Sequence, residues 1–317
     1  MSVGTSSEHW GPSLLHSDDL GTSWQEAVDA VRFPEGTDAA LARIWQLQPA
    51  GADQPDVVYA GAEPAALFRS DDRGRTFTLV EALWRHPTRS RWAPGYGGEC
   101  LHTVLPHPDD PDTIVVAVST GGAFRSTDGG LTWTPANTGI ETPFLPEASP
   151  EFGQCVHKIA RDPVRPEQMF LQNHGRTDSA GVYRSTDGGL TWTPASDGLP
   201  HQFGFPVAAH PHRSGTAYLF PLVADADRVP AERRCRVYRT TDAGRSWDAL
   251  ADGLPAAPHY GVVLRDAMCL DQGTPAGVYF GNRNGEVYAS RDDGDSWALV
   301  AGHLPDVLCV RAAVLEG

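Results

Sequence analysis

A short motif recurs six times along this chain, and its recurrence constrains the fold more than any other feature of the sequence. The motif reads Ser/Thr-x-Asp-x-Gly-x-Thr/Ser-aromatic, and successive copies begin 50–59 residues apart. The copies lie at residues 17–24, 70–77, 126–133, 185–192, 240–247 and 290–297. A repeat of this period is typical of a propeller or a solenoid, in which each repeat is one supersecondary unit.

Each copy of the motif lies between two short strand-like runs, so the pattern predicts a hairpin loop. The aspartate can accept hydrogen bonds from nearby backbone N–H groups, and the glycine can adopt a positive φ. The aromatic residue then enters the next strand, where its ring can be buried. Binding of an ion or a sugar is the alternative. Six near-identical copies favour a structural turn that is repeated once per blade, because chemistry usually needs one site.

This pattern resembles the Asp-box, or BNR, repeat of the sialidase-like β-propellers, and the resemblance extends from Ser17 to Trp297. It implies an all-β, six-bladed β-propeller with four-stranded blades, formed as a single domain over residues 1–317. It implies little about function, because Asp boxes occur in sialidases, other glycosidases, sortilin-type receptors and photosystem assembly factors. A fold alone does not establish an activity.

The two ends of the chain predict how the ring closes. The first motif begins too early to leave room for the innermost strand of its blade. After the sixth motif, residues 307–314 form a spare strand-like run. We expect this C-terminal strand to join the first blade, because closing the ring in this way removes exposed sheet edges.

Composition excludes several classes of partner. The net charge of −15 argues against nucleic acid, which requires a basic surface. No apolar run approaches the roughly 20 residues of a membrane span, and the first residues lack the regions of a signal peptide. The five cysteines are odd in number and lie in apolar runs, which predicts buried thiols in a cytoplasmic protein. A closed ring is compatible with a monomer that acts on a small-molecule substrate.

Prolines mark the ends of several innermost strands and allow the strands to be aligned. Counting back six residues from Pro49, Pro108, Pro163 and Pro211 gives Arg43, His102, His157 and Phe205. A looser alignment gives Arg265 or Asp266 in the sixth blade and Cys309 in the first. Equivalent positions on innermost strands should face the same level of the central channel, so we expect His102 and His157 to lie close together.

Loops at the same rim add further polar side chains. By topology, His9, Glu63 and His174 belong to the loops beside His102 and His157. Imidazoles with a carboxylate suit zinc or another divalent transition metal, and an open coordination position would activate water. The predicted metal ligands are His9, His102, His157 and His174, and the predicted catalytic residues are Glu63, Arg43, Arg265 and Asp266. A metal-free polar site and a purely structural role for the same residues remain as alternatives.

Aromatic residues in the rim loops are candidates for substrate binding. Residues 83–92 contain Trp84 and Trp92 among three arginines, which suggests a lid. Phe205 would supply an apolar wall, and Tyr260 lies in another upper loop. The alternative for the two tryptophans is that their rings pack onto the rim.

The resemblance also implies a specific chemistry for comparison. Sialidases use a Tyr nucleophile, a carboxylate acid/base and three arginines, after an Arg-Ile-Pro segment. Here Arg43-Ile44-Trp45 lacks the proline and follows the first Asp box. We therefore predict a sialidase-like propeller enzyme that acts on a small polar or anionic substrate, with a metal-binding His cluster. The alternatives are a metal-free glycoside hydrolase and a non-catalytic binding propeller such as an assembly factor.

Overall fold

The computed structural model describes residues 1–7, 9, 11–27, 30–176, 179–223 and 228–313. The chain is an all-β, six-bladed β-propeller of antiparallel blades, as the repeats predict; in the described residues five blades have four strands and the first has three. It divides into two compact units. The first comprises Met1–Asn137 and Glu151–Cys155, and the second comprises Thr138–Pro150 and Val156–Gly317. The prediction of a single domain stays a prediction.

The first unit contains the first three blades. The first blade consists of β1 (Ser2–Ser7), β2 (Gly11–His16) and β3 (Gln25–Glu26). The second consists of β4 (Arg43–Pro49), β5 (Val58–Glu63), β6 (Ala66–Ser70) and β7 (Thr78–Leu79). The third consists of β8 (Leu101–Pro106), β9 (Thr113–Val118), β10 (Gly122–Thr127) and β11 (Thr134–Pro135). A short helix α1 (Glu81–Trp84) and a 3₁₀ turn (Arg89–Arg91) lie between β7 and β8.

The second unit contains the other three blades. The fourth consists of β12 (Val156–Arg161), β13 (Met169–Asn173), β14 (Val182–Ser185) and β15 (Thr193–Pro194). The fifth consists of β16 (Phe203–Ala209), β17 (Ala217–Leu222), β18 (Val237–Thr240) and β19 (Asp248–Leu250). The sixth consists of β20 (Met268–Leu270), β21 (Val278–Gly281), β22 (Val287–Ser290) and β23 (Ala298–Ala301). A 3₁₀ turn (Ala231–Arg233) precedes β18.

The second strand of each four-stranded blade forms its core. All six residues of β9 and all six of β17 are buried. These strands are rich in β-branched and aromatic residues, which pack well on a pleated surface that is covered on both faces. Their burial explains why their sequences are continuous apolar runs without alternation.

The Asp boxes connect the third and fourth strands of the blades, as predicted, and the fourth box shows how they work. Asp187 Oδ1 accepts hydrogen bonds from Ser185 Oγ at 2.7 Å and from the Thr191 N–H at 2.9 Å. Asp187 Oδ2 accepts one from Thr191 Oγ1 at 2.6 Å, and Ser185 Oγ accepts one from the Gly189 N–H. The carboxylate is thus used within its own turn, which supports the structural interpretation of the motif.

The Asp boxes should make the protein sensitive to acid. Hydrogen bonds within the turns lower the pKa of all six box aspartates, to about 2 for Asp19, Asp72 and Asp242. A carboxyl group whose pKa is depressed in the folded state stabilises the fold above its unfolded pKa of about 4, and this stabilisation is lost as pH falls through the folded pKa. We therefore expect the urea midpoint to fall steeply between about pH 4 and pH 2. A midpoint that is unchanged over this range would contradict the expectation.

The C-terminal segment contacts the sixth blade, where Cys309 forms a parallel bridge with Asp266, just before β20. The first blade has three strands among the described residues, and its completion by the C-terminal strand stays a prediction. The Val310 N–H donates to the Asp266 carbonyl at 2.9 Å, and Arg311 Nη2 donates to its carboxylate at 2.6 Å. A charged contact with a buried carboxylate thus holds this segment on its own blade. Residues 314–317 lie outside the described residues.

No helix among the described residues is both long enough and apolar enough to cross a membrane.

Candidate functional site

The innermost strands of the second to fifth blades share an irregularity that places their functional side chains. The ladder register shifts at Trp45 in β4, at His102 in β8, at His157 in β12 and at residues 205–206 in β16. A bulged residue makes no regular ladder pair, and its side chain is re-aimed relative to its neighbours. Three of these positions, His102, His157 and Phe205, were predicted from the sequence.

The residue of β4 that is equivalent to His102 and His157 is Trp45 and not Arg43. Pro49 belongs to β4 itself, whereas Pro108 and Pro163 lie two residues beyond the ends of their strands. Counting from the proline therefore misplaces the second blade by two residues. Arg43 instead begins β4 and is exposed, directly opposite Glu63 in the ladder.

Glu63, a predicted catalytic residue, ends β5 in the first unit and lies beside a second carboxylate. Its Oε2 accepts a hydrogen bond from Trp45 Nε1 at 3.0 Å. The backbone of Gly98, whose φ is 95°, approaches the Glu63 carboxylate so closely that a Cβ at this position would overlap it. Glu99, the next residue, is close enough for the charge of Glu63 to raise its pKa.

Glu99 has the most distinctive electrostatics of this region. Burial is the largest cause of its raised pKa, and repulsion by Glu63 adds to it. Arg89, whose Nη1 lies 3.1 Å from Glu99 Oε1, opposes the rise without cancelling it. Two adjacent carboxyl groups with different environments can take the roles of acid and base. We call Trp45, Glu63, Arg89 and Glu99 the glutamate site.

The two tryptophans of residues 83–92 pack beside Arg89, a residue of the glutamate site. Arg89 lies over the Trp84 ring, with its guanidinium carbon 3.8 Å from the ring centroid, and donates to the Ala65 carbonyl at 2.7 Å. Trp92 is buried and packs against Phe124 at a centroid distance of 5.0 Å. These contacts match the alternative in which the rings pack onto the blades. Substrate binding by Trp84 and Trp92 stays a prediction.

Two of the predicted metal ligands, His102 and His9, lie in the first unit. His102 is fully buried, and its Nδ1 shares a hydrogen bond with Thr103 Oγ1 at 3.0 Å. His9 is exposed in the turn after β1. Among the described residues, neither histidine belongs to a group of three or more His, Cys, Asp or Glu side chains whose ligand atoms lie close enough to hold one metal ion.

His157 and His174 are brought together as predicted. His157 is the bulged residue of β12, and His174 directly follows β13, with a distance of 5.4 Å between the ring centroids. His157 Nδ1 donates a hydrogen bond to the Gly204 carbonyl at 2.6 Å. Because a carbonyl oxygen only accepts, Nδ1 carries the proton and Nε2 keeps its lone pair when the ring is neutral.

Phe205 and Arg265 lie next to this histidine pair. Phe205 is buried, and its ring centroid is 4.9 Å from that of His157. The guanidinium carbons of Arg265 and Arg228 lie 5.3 Å and 5.6 Å from the Phe205 centroid. The predicted apolar wall, Phe205, and one predicted catalytic residue, Arg265, are therefore neighbours in the second unit.

Asp266 and Tyr260 have environments that differ from those of the other candidates. Asp266 Oδ1 accepts from Lys158 Nζ at 2.9 Å and from Arg311, so its carboxylate is engaged in a largely buried ion-pair network. Burial alone would raise its pKa, but the two cations bring it below the ordinary value. Such a group is a weak base. Tyr260 is half exposed, with Arg233 6.0 Å from its ring centroid, and its substrate role stays a prediction.

A shallow cavity of about 440 Å³ lies elsewhere in the first unit, beside the strand that follows the second Asp box. It is lined by residues 32–35 and 77–79. None of the predicted site residues lines it, and its only charged side chains are Arg32 and Glu35. We therefore base no function on it.

Comparison with protein families supports the repeat assignment. The model of the BNR/Asp-box repeat matches residues 124–135 and 183–194. Among curated proteins, the chain is 26% identical over 275 residues to the xyloglucanase Xgh74A of Acetivibrio thermocellus. This alignment covers 77% of the chain and 30% of the xyloglucanase, so the chain spans about a third of the length of this relative.

Solved structures share the fold at low sequence identity. The GH74 xyloglucanase of Xanthomonas campestris has a TM-score of 0.60 at 20% identity, over 91% of the chain and 42% of the xyloglucanase. The structure of YCF48 bound to D1 peptide has a TM-score of 0.55 at 13% identity, over 90% of the chain and 74% of YCF48. The comparisons thus relate the chain to xyloglucanase-like propellers.

Three residues of the glutamate site were not predicted from the sequence, namely Trp45, Arg89 and Glu99. Glu99 lies two residues before the innermost strand β8, where a polar side chain could have drawn attention. Counting back from Pro49 gave Arg43 and not Trp45. No local pattern in the sequence indicates that Glu99 meets Glu63.

Proposed function

The chain is a BNR/Asp-box repeat β-propeller, and from that premise we propose that it is a glycoside hydrolase-like protein whose reacting groups are Glu63 and Glu99. This choice favours the metal-free alternative of the sequence analysis over the metal-dependent one. The proposal is supported by the relationship to xyloglucanases and by the chemistry of the glutamate site.

The observation that carries the proposal is the contrast between two neighbouring carboxyl groups. Most glycosidases use such a pair, in which a carboxyl group of raised pKa is the general acid and the other is a base or nucleophile. Burial and the charge of Glu63 raise the pKa of Glu99, which suits an acid. Glu63 accepts a hydrogen bond from Trp45, which orients its carboxylate.

The reaction follows from these roles. Protonated Glu99 donates its proton to the glycosidic oxygen as the bond from that oxygen to the anomeric carbon breaks. Glu63 either removes a proton from the water that attacks this carbon or attacks the carbon itself, after which water releases the sugar. Arg43, which lies opposite Glu63 in the ladder, would contact polar groups of the substrate.

The substrate class is suggested by the relatives. The curated relatives are xyloglucanases, so a soluble β-glucan with xylose branches is the first substrate to test. Because the chain spans 30% of these proteins, binding and hydrolysis need to be measured separately.

The test compares two amide substitutions with a matched control. We expect the protein to release new reducing ends from xyloglucan, and we expect Glu99→Gln to lower this rate by about 100-fold or more, because a general acid contributes about 10²–10⁴-fold. Glu63→Gln should cause a similar loss. Glu81→Gln, at an exposed position of helix α1, is the control and should keep the rate. Mass spectrometry of the products would identify the cleaved bond.

The results separate this proposal from its rival. Hydrolysis that survives both amide substitutions would reject the assignment of the glutamates. Binding of xyloglucan without hydrolysis would favour the non-catalytic binding propeller. Absence of both binding and hydrolysis for xyloglucan and unbranched β-glucans would overturn the proposal.

A further inference from the structure

We propose that Tyr96 is a sugar-binding residue beside the glutamate site, on whose ring a sugar of a neutral β-glucan chain stacks. This inference rests on the proposed function, because it extends the same site toward its substrate. The role of Tyr96 is to bind and not to transfer a proton. All the residues that carry the inference belong to the first unit.

Tyr96 stands at the tip of a closed turn. The Gly98 N–H donates a hydrogen bond to the Gly95 carbonyl at 3.0 Å, and the two glycines form an antiparallel bridge. Tyr96 and Gly97 are therefore the central residues of a β-turn. Because the turn is already closed by its own hydrogen bond, a ligand that binds to Tyr96 orders little additional backbone.

The ring of Tyr96 is accessible to a ligand. Tyr96 is 99% exposed, which is the largest exposed fraction of any large apolar or aromatic side chain among the described residues. Nothing lies within 4 Å of the position that a Cβ on Gly97 would occupy, so there is space beside the tip as well. A tyrosine ring offers a large, rigid contact area that loses little conformational entropy on binding. The turn thus presents this area to solvent and not to the core.

The base of the turn is anchored at the glutamate site. The backbone of Gly98 lies against Oε1 of Glu63, and Gly95 packs beside Thr120 in the loop between β9 and β10. Glu99 follows the turn directly, so the Cα atoms of Tyr96 and Glu99 are at most about 11 Å apart. A sugar ring that stacks on Tyr96 is therefore close to the bond that Glu99 would protonate.

A second aromatic residue contacts the same carboxylate. Trp45 Nε1 donates to Glu63 Oε2, whereas the turn approaches Oε1. The Glu63 carboxylate thus lies between an indole and the turn that carries Tyr96. Trp45 is only partly buried. Aromatic groups on both sides of a reacting carboxylate suit a chain of several sugars better than a single monosaccharide.

The chemistry of a β-glucan matches this surface. The ring substituents of its glucose units are equatorial, so each face of the sugar ring presents C–H groups and is apolar. The face of a tyrosine ring carries partial negative charge, which favours contact with such groups. The net charge of −15 and the two carboxyl groups of the site favour a neutral sugar over an acidic one.

The primary experiment measures binding of a xyloglucan oligosaccharide to the full chain by titration calorimetry, with Glu99→Gln present to slow hydrolysis. Adding Tyr96→Ala should raise the Kd by about 10-fold, because it removes the aromatic contact. Tyr96→Phe and Tyr96→Trp should keep the affinity, since the ring and not the hydroxyl makes the contact. Leu131→Ala, at a 76% exposed position of the third Asp box, is the control and should leave the Kd unchanged.

Kinetics on the chain with Glu99 intact provide a second readout. Tyr96→Ala should raise KM by about 10-fold and leave kcat nearly unchanged, because stacking binds the substrate and the transition state equally. The thermal unfolding midpoint should not change in this variant, since Tyr96 is exposed.

The outcomes separate this inference from the proposed function. An unchanged Kd in Tyr96→Ala, or an equal loss of affinity in Tyr96→Phe, would overturn the stacking role. Binding that depends on the Tyr96 ring but leads to no hydrolysis would support the inference and reject the proposed reaction. Hydrolysis whose KM and kcat are both unchanged in Tyr96→Ala would do the reverse. Absence of binding to xyloglucan and to unbranched β-glucans would overturn both.

Discussion

Replacement of Asp266 by alanine is expected to lower the free energy of unfolding by about 3–5 kcal/mol, because it leaves the charge of Lys158 buried without its partner. Lys158 Nζ lies 2.9 Å from Asp266 Oδ1, and the two side chains are only 11% and 10% exposed. Arg311 also donates to Asp266 and links the C-terminal segment to the sixth blade. Loss of the carboxylate therefore removes two contacts at once.

The effect of Asp266→Ala should depend on pH in a defined direction. Lys158 and Arg311 bring the pKa of Asp266 below its ordinary value. A carboxyl group with a depressed folded-state pKa contributes stability above its unfolded pKa of about 4 and loses it as pH falls through the folded pKa. The difference between the native protein and the variant should therefore be largest near neutral pH and should shrink in acid.

Urea unfolding followed by tryptophan fluorescence measures this difference. Glu81→Ala is the matched control, because the Glu81–Arg85 pair at 2.6 Å is solvent-exposed and should contribute little to stability. A second variant, Lys158→Met with Asp266→Leu, should recover part of the lost stability, since apolar replacement of both partners removes the unpaired charge. Equal effects for Asp266→Ala and Glu81→Ala would show that the buried pair is not important for stability.

Replacement of Gly139 or Gly253 by alanine should also lower the free energy of unfolding substantially. Both glycines have positive φ, at 92° and 80°, and a Cβ on either would overlap a backbone carbonyl, that of Trp192 or of Trp297. Next to each overlap, the tryptophan N–H donates a hydrogen bond to the carbonyl of the residue before the glycine. The distance is 2.8 Å for Trp192 and 2.9 Å for Trp297. A methyl group would therefore break the contact between one blade and the next Asp box.

Gly198 provides the matched control for this effect. Its φ is 86°, but nothing lies within 4 Å of the position that a Cβ would occupy. Gly198→Ala should cost only the backbone strain of about 1–2 kcal/mol, whereas Gly139→Ala and Gly253→Ala should cost about 3 kcal/mol or more. Thermal unfolding of the three variants tests this order. If Gly198→Ala were as destabilising as the other two, the carbonyl overlap would not be the cause.

The blade architecture could be predicted from the sequence because the Asp box is a local device. Ser185, Asp187 and Thr191 satisfy one another within seven residues, so the turn forms wherever its sequence occurs. Six such turns determine the number of blades and the position of each hairpin. Continuous apolar runs such as β9 then predict the buried strands.

The functional side chains could be predicted only in part. His157 and His174 were identified as neighbours because each occupies a defined position at the end of adjacent strands of one blade. Arg43 was assigned to the position that Trp45 occupies, because the proline used for counting lies inside β4 and not beyond it. Glu99 was not recognised, since its position beside Glu63 depends on the path of the preceding loop.

The sequence by itself determined the propeller, its repeats and its strand order, because these follow from hydrogen bonds and periodicities that span a few residues. Only the tertiary structure decided which charged groups meet. Glu63 and Glu99 are brought together by the long loop before β8, and Lys158 and Asp266 are 108 residues apart in the chain. Such pairs depend on bulges and loop paths that result from packing of the whole blade, which no local pattern encodes.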